Sequence, residues 1–383
     1  MRPEAALAGL LLAALAAVPA SAQTVLQGQV GRAAVVLELD APTPDGRVDG
    51  RYFYTRYRQS IPLEGERTPK GLVLRAQGFD EDAQERMSLQ PDGRGWRGQF
   101  VKPGRPPLAG VLQPVPGQAL PSLPAALRQE NAQDYGPYER LQLAGLRFLP
   151  AGEQALPGGY RIRWLREPLS GRRMYEVVAG YPAPALAAIN RQLHADFLAL
   201  LARQFGCYDG QGGSGMDTAD VHSVYLDARH VSHAIQYSWS CWGAAHPDFA
   251  LEGTTLDARD GHRLELEDLW QPAPSAAPPR GSDGWFAWRR DVFAPAVVAL
   301  LARLYPQELQ ADAGEDGCDY RDPEVWTFPA WYLSARGLYL GASFARVDRR
   351  CDNPDWSFVP TARLRDPAAP GRPQAGASRA TTP

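Results

Sequence analysis

The chain has 383 residues, of which 22% are charged, and a formal net charge of -3 at pH 7. No basic block stands out, which argues against nucleic acid as a partner. Lys70 and Lys102 are the only lysines among 40 basic residues, and alanine, proline and glycine abound, a bias of GC-rich bacterial coding sequence rather than of a function.

At the amino terminus Arg2 precedes an apolar run from Ala5 to Val18, and Ala20-Ser21-Ala22 stands before Gln23. This is the pattern of a secretory signal peptide over residues 1–22 with cleavage ahead of Gln23. The first cysteine is Cys207, so lipid attachment at a new amino terminus is not expected. No later segment approaches about 18 apolar residues, so no membrane anchor is expected either. Together these place the mature chain in the bacterial periplasm or outside the cell.

From Val25 to Val115 seven β-rich runs alternate with turn residues: VLQGQVG, AAVVLELDA, RVDGRYFYTRYRQSIPL, KGLVLRAQGF, ERMSLQ, GWRGQFV and LAGVLQPV. Their spacing of about 8 to 12 residues predicts an antiparallel barrel or sandwich over 23–117. Tyr52 and Tyr54 share one face of their strand, where sheet packing competes with a carbohydrate-stacking surface; Trp96 carries the same ambiguity. Pro114, Pro116, Pro121 and Pro124 then break the pattern, and 118–159 reads as a linker with a short helix near Ala125 to Gln133.

A second domain is expected over 160–365, opening with the strand pair RIRWL and RRMYEVVAGYP. Leu186, Ile189, Leu193, Phe197, Leu200 and Leu201 keep helical spacing, and Gly206 offers a terminus beside Cys207. In GQGGSG, Gly210, Gly212 and Gly215 satisfy a nucleotide-loop pattern literally, but a helix precedes and a strand follows, so the loop reads as a turn. Strands follow through VHSVYLDA and HVSHAIQYSWSCW, with Ile235, Tyr237, Trp239 and Cys241 on one face. A second helix, capped by Ser282 or Asp283, carries Trp285, Trp288, Phe293, Val297, Leu300, Leu301 and Leu304 up to Pro306. Late strands complete the sheet, and 366–383 has the composition of a disordered tail. The class is therefore α+β: a β barrel or sandwich, then two helices packed on a mainly antiparallel sheet.

Four cysteines in an exported chain imply two disulfides. Pairing Cys207 with Cys241 and Cys318 with Cys351 closes two loops of similar, moderate length. The absence of C-x-x-C spacing argues against structural zinc.

Residues 160–365 resemble a bacterial extracytoplasmic domain family shared by a lysozyme-sensing anti-sigma factor ectodomain and the amino-terminal region of peptidoglycan deacetylases. The resemblance rests on Ala187-Ala188-Ile189-Asn190, the turn Gly243-Ala244-Ala245-His246-Pro247, the Asp257 to Asp260-Gly261 hairpin leading into Leu264-Glu265-Leu266-Glu267-Asp268-Leu269, Leu338-Tyr339-Leu340 and Phe358-Val359-Pro360. It implies helices packed on a mixed or antiparallel sheet and a role in recognition outside the cytoplasm. The membrane span and sigma-factor segment of the sensor, and the metal-dependent catalytic domain of the deacetylases, have no counterpart here.

Little points to catalysis. His194, His222, His230, His233, His246 and His262 cluster in sequence, but His230 and His233 lie three apart in a strand and so face opposite ways. There is no H-E-x-x-H, and Met216 spoils G-x-S-x-G around Ser214. His233, on the face of Ile235 and Tyr237, reads as a core histidine. Asp260, Glu265, Glu267 and Asp268 invite a glycosidase reading, but Glu265 and Glu267 alternate with leucines and read as the solvated face of a strand. Pro247 biases His246 toward extended backbone, so its imidazole either ties the turn to backbone carbonyls or helps form a recognition surface. Trp242, His246 and Asp248 are accordingly the candidate binding residues, with no cofactor or metal expected. The leading expectation is a non-catalytic periplasmic binding protein for a peptidoglycan fragment or a lysozyme-like protein; the rival is an envelope hydrolase using His246 with a nearby carboxylate.

Overall fold

The computed structural model describes residues 23–80, 82, 84–123, 135–272, 276–310 and 317–364. The expected signal peptide, the short helix near Ala125 and the carboxy-terminal tail lie outside these residues. Among the described residues no helix is long and apolar enough to cross a membrane. The chain divides into two units, one made of residues up to Arg56 and of Ile61–Ala119, the other of Tyr57–Ser60 and everything from Leu120 onward.

The first unit is a closed antiparallel barrel of eight strands: β1 (Thr24–Val30), β2 (Ala33–Leu39), β3 (Arg47–Tyr54), β4 (Ile61–Thr68), β5 (Gly71–Ala76), β6 (Arg86–Asp92), β7 (Gly95–Val101) and β8 (Leu108–Pro114). Each strand pairs with the next, and β1 pairs with β8 to close the ring. Alternation sends Leu26, Leu37, Tyr52, Leu63, Leu74, Met87, Phe100 and Leu112 into a filled interior, as expected for eight strands. Tyr52 is buried there and, with Tyr54, donates its hydroxyl to Glu85 at 2.5 and 2.8 Å. Ordinary packing thus accounts for these tyrosines, and Trp96 likewise lies against the core.

The run RVDGRYFYTRYRQSIPL is two strands rather than one. The chain turns between them, where Arg58 takes a φ of 60°. Tyr57–Ser60 belongs to the second unit: Arg58 donates to Leu141 O at 3.3 Å and also to Gln142 O, while Gln142 Nε2 returns a bond to Arg58 O at 2.6 Å. The expected linker over 118–159 also needs correction. Helix α1 (Pro137–Leu143) and strand β9 (Leu149–Ala155) lie within it, and β9 pairs with β10 (Arg161–Arg166). Every residue of β9 is exposed, so it carries no apolar alternation for a sequence reading to detect.

Among its described residues the second unit holds three antiparallel sheets of three strands each. The first runs β11-β10-β9 with β11 at Arg173–Ala179; the second is β12 (Met216–Leu226), β13 (His230–Trp239) and β14 (Asp248–Asp257); the third is β15 (Ala330–Ser334), β16 (Gly337–Gly341) and β17 (Phe358–Val359). Helix α2 (Ala183–Gly206) buries Ile189, Leu193, Phe197, Leu200 and Leu201 in a core shared with Tyr175, Val177, Ile235 and Tyr237. Asn190 fixes the helix to β11, its amide bonding both Val177 N (2.8 Å) and Val177 O (2.9 Å). Gly261, at φ 72°, brings the Asp-Gly turn against the start of the same helix, where a Cβ would meet Ala188 C at 2.6 Å. The Ala-Ala-Ile-Asn and Asp-Gly segments therefore serve packing.

A second core gathers around Trp288, Phe293, Val297, Leu301, Trp326, Leu338 and Leu340. Ser282 caps helix α4 (Asp283–Trp288) by accepting from Trp285 N, and a π turn at Arg289–Phe293 joins it to α5 (Ala294–Leu304). Strand β13 is covered on both faces. Val231, His233, Ile235 and Tyr237 turn toward α2, while Ser232 accepts from Leu333 N at 2.9 Å and Ala234 meets Tyr332, Tyr339 and Phe358. Gly253 on β14 allows this closeness, since a Cβ there would lie 1.7 Å from Trp331 O.

The reading of Leu264 to Leu269 as a strand is overturned. Leu266–Leu269 is a helical turn, α3, in which Glu265 and Asp268 form a reciprocal capping box. Glu267 is not solvated: only 12% of its side chain is exposed, and it accepts from Arg289 Nε at 2.9 Å and Trp285 Nε1 at 2.8 Å.

Candidate functional site

The turn from Cys241 to Asp248 is built from four constraints. The Cys207–Cys241 disulfide ties its start to the end of α2, and Cys318–Cys351 forms as the second bridge, so both expected pairings are present. Trp242 N donates to Tyr208 O at 2.5 Å, and Gly243 takes a φ of 82° that favours glycine. Ala244 N closes the turn on Cys241 O at 3.0 Å. Nearby, Asp209 organises the glycine-rich loop by accepting from Gln211 N and Gly213 N, which is turn chemistry, not nucleotide binding.

The three candidate residues do not converge. Trp242 is half-buried, His246 is exposed at the tip, and Asp248 opens β14. Among the described residues His246 bonds neither a backbone carbonyl nor a carboxylate. Asp248 is engaged from the other side by Arg349, with Arg346 at 3.6 Å. Arg349 also donates to Phe249 O (2.8 Å) and Asp352 (3.0 Å), and its guanidinium lies 4.7 Å from the Phe249 ring. Asp352 in turn accepts from Phe344 N at 2.6 Å. Arg349 thus joins the turn to the segment before Cys351, and nothing in the sequence distinguishes it from the chain's other arginines.

Beside this clamp the second and third sheets frame a groove of about 330 Å³. Gln236 and Leu251, directly paired across β13 and β14, form one wall with Phe249; Tyr332, Tyr339 and Phe358, a cross-strand row on β15 to β17, form the other. Tyr332 and Tyr339 have ring centroids 4.7 Å apart, and Arg336 lies 3.9 Å over Phe358. Burial pushes both tyrosine hydroxyls above their ordinary pKa, so they stay neutral. His222, Gln236, Asn353 and Asp355 also line the groove, and among the described residues their side chains make no hydrogen bond. The groove therefore offers unspent donors and acceptors next to aromatic walls.

The other histidines have separate surroundings. His194 stacks edge-on against Phe148 at 4.8 Å, His230 pairs with Asp227 and His262 with Asp260. His233 is the core histidine expected: it lies 3.2 Å from Tyr175 Oη, and burial lowers its pKa to about 3. Among the described residues no group of three or more side chains is placed to hold a metal ion. Comparison of the chain with protein-family models, with curated proteins and with solved structures finds no match in any of the three.

Proposed function

We propose that the protein is a non-catalytic binding protein of the bacterial envelope, acting in the periplasm or outside the cell, and that its groove takes a saccharide-bearing peptidoglycan fragment. One observation carries this reading: His222, Gln236, Asn353 and Asp355 present polar side chains, unbonded among the described residues, beside Phe249, Tyr332, Tyr339 and Phe358. A sugar ring has apolar C–H faces and a rim of hydroxyls, which matches aromatic walls with amide and carboxylate partners. The two disulfides fit an oxidising compartment.

The rival reading, a hydrolase built on His246, needs a carboxylate within about 3 Å of the ring. Asp248, the acid nearest in sequence, is held by Arg349 instead.

Calorimetry with purified muropeptides and with lysozyme tests the proposal. The expected result is muropeptide binding that Gln236→Ala and Asp355→Asn each weaken about tenfold, a loss of about 1.4 kcal/mol, without lowering the melting temperature. Absence of binding to every muropeptide removes the saccharide reading, and lysozyme binding unaffected by these substitutions moves recognition to another surface.

A further inference from the structure

A second cleft, of about 470 Å³, shares no lining residue with the groove. Its position follows from register. His230 on β13 lies directly opposite Asp257 on β14, and Asp257 N donates to His262 O at 2.9 Å, so His230, Asp257 and His262 form one row across three adjacent strands of chain. Side chains in one row share a face. Leu264, Leu269 and Leu333 supply apolar surface beneath this row, and the last helical turn, Thr361–Leu364, borders it.

Both imidazoles are oriented by carboxylates. His230 Nδ1 lies 3.1 Å from Asp227 Oδ1, and His262 Nδ1 lies 2.5 Å from Asp260 Oδ1. A carboxylate at Nδ1 selects the tautomer that carries its proton there, leaving Nε2 as an acceptor. Burial alone would raise the Asp227 carboxyl, but hydrogen bonds from His230 Nδ1 and from the backbone N–H groups of Arg229 and His230 outweigh it and hold the group ionised. Asp257 is likewise held below the usual carboxylate range, chiefly by its bond from Arg259. Asp268 also lines the cleft.

Within the lining Asp257 is paired with Arg259 and Asp227 with His230, which leaves Asp268 and Arg229 as opposite charges without an ion-pair partner among the described residues, alongside Leu264, Leu269 and Leu333. Arg229 is exposed, and its guanidinium has no partner among the described residues. A simple anion would leave Asp268 unmatched, and a simple cation Arg229. A ligand carrying both charges on an aliphatic body satisfies every part of the surface.

The geometry points to a binding site for a short zwitterionic peptide of two or three residues with aliphatic side chains, its ammonium toward the aspartates and its carboxylate toward Arg229. The cleft volume lies within the range of small-molecule sites. This inference does not depend on the saccharide reading.

Calorimetry on the full chain with L-leucyl-L-leucine, its N-acetyl form and its C-terminal amide tests it. The free dipeptide is expected to bind, each blocked form at least tenfold more weakly, and Arg229→Ala is expected to weaken the free dipeptide while leaving the amide unchanged. Gln236→Ala, in the groove, is expected to leave dipeptide binding intact, so failure of the saccharide reading is distinguishable from failure of this one. No binding of the free dipeptide, equal binding of the acetylated form, or no effect of Arg229→Ala each overturns the inference.

Discussion

Arg289 meets Glu267 at 2.9 Å with only 7% and 12% of their side chains exposed. The guanidinium also lies 4.3 Å from the Phe293 ring, and burial depresses its pKa, opposed by Glu267. Removing one member of such a pair strands the other charge, at a cost of about 3 to 5 kcal/mol, whereas replacing both with apolar side chains is often close to neutral. Glu267→Ala is therefore expected to lower the unfolding free energy by about 3 kcal/mol in urea titrations. The double variant Glu267→Leu, Arg289→Met is expected to lose much less, which a double-mutant cycle measures directly.

His233 predicts an acid limit to stability. Burial lowers its pKa to about 3 in the folded protein, from an ordinary value of about 6.5. Between these values the unfolded chain binds the proton and the folded chain does not, so stability from this group is complete above about pH 6.5 and falls as pH drops toward 3, by up to about 1.4 kcal/mol per unit. His233→Gln is expected to flatten that part of a stability-against-pH curve recorded by chemical denaturation.

Two glycines should respond to the same change by very different amounts. Gly253→Ala places a methyl group against Trp331 O, and is expected to cost several kcal/mol or to prevent folding. Gly243→Ala meets nothing within 4 Å and is penalised only for its φ of 82°, by about 1 kcal/mol. Melting temperatures of the two variants check the contrast.

Replacing Cys207 and Cys241 together by serine is expected to cost about 3 kcal/mol. Amide hydrogen exchange should quicken over 242–248 in that variant, because the turn loses its covalent tie to α2 while Arg349 still holds Asp248.

The barrel was readable because its interior residues alternate strictly, and the disulfides because each loop joins elements that pack together. Two strands of the barrel merged into one run because Arg58 turns the chain without glycine or proline, relying on Gln142, 84 residues away. Strand β9 escaped because pairing with β10, not burial, defines it. Leu-Glu-Leu-Glu imitates a strand; the spacing of Glu265 and Asp268 was the available sign of a capped helical turn. The candidate site was legible only as a turn. The clamp by Arg349 depends on a residue 101 positions from Asp248, and the groove on six strands from distant parts of the chain.

Ser60 N and Gln59 Nε2 donate to Phe205 O at 2.8 and 3.0 Å, and Gln59 also reaches Cys207 O at 3.0 Å, so the last carbonyls of α2 are satisfied by residues encoded between two barrel strands. A gene fragment beginning at residue 120 would produce a second unit whose longest helix lacks the partners of Phe205 O and Cys207 O. Recombination that shuffled either unit as a contiguous cassette would break the other, so the two are expected to be inherited together.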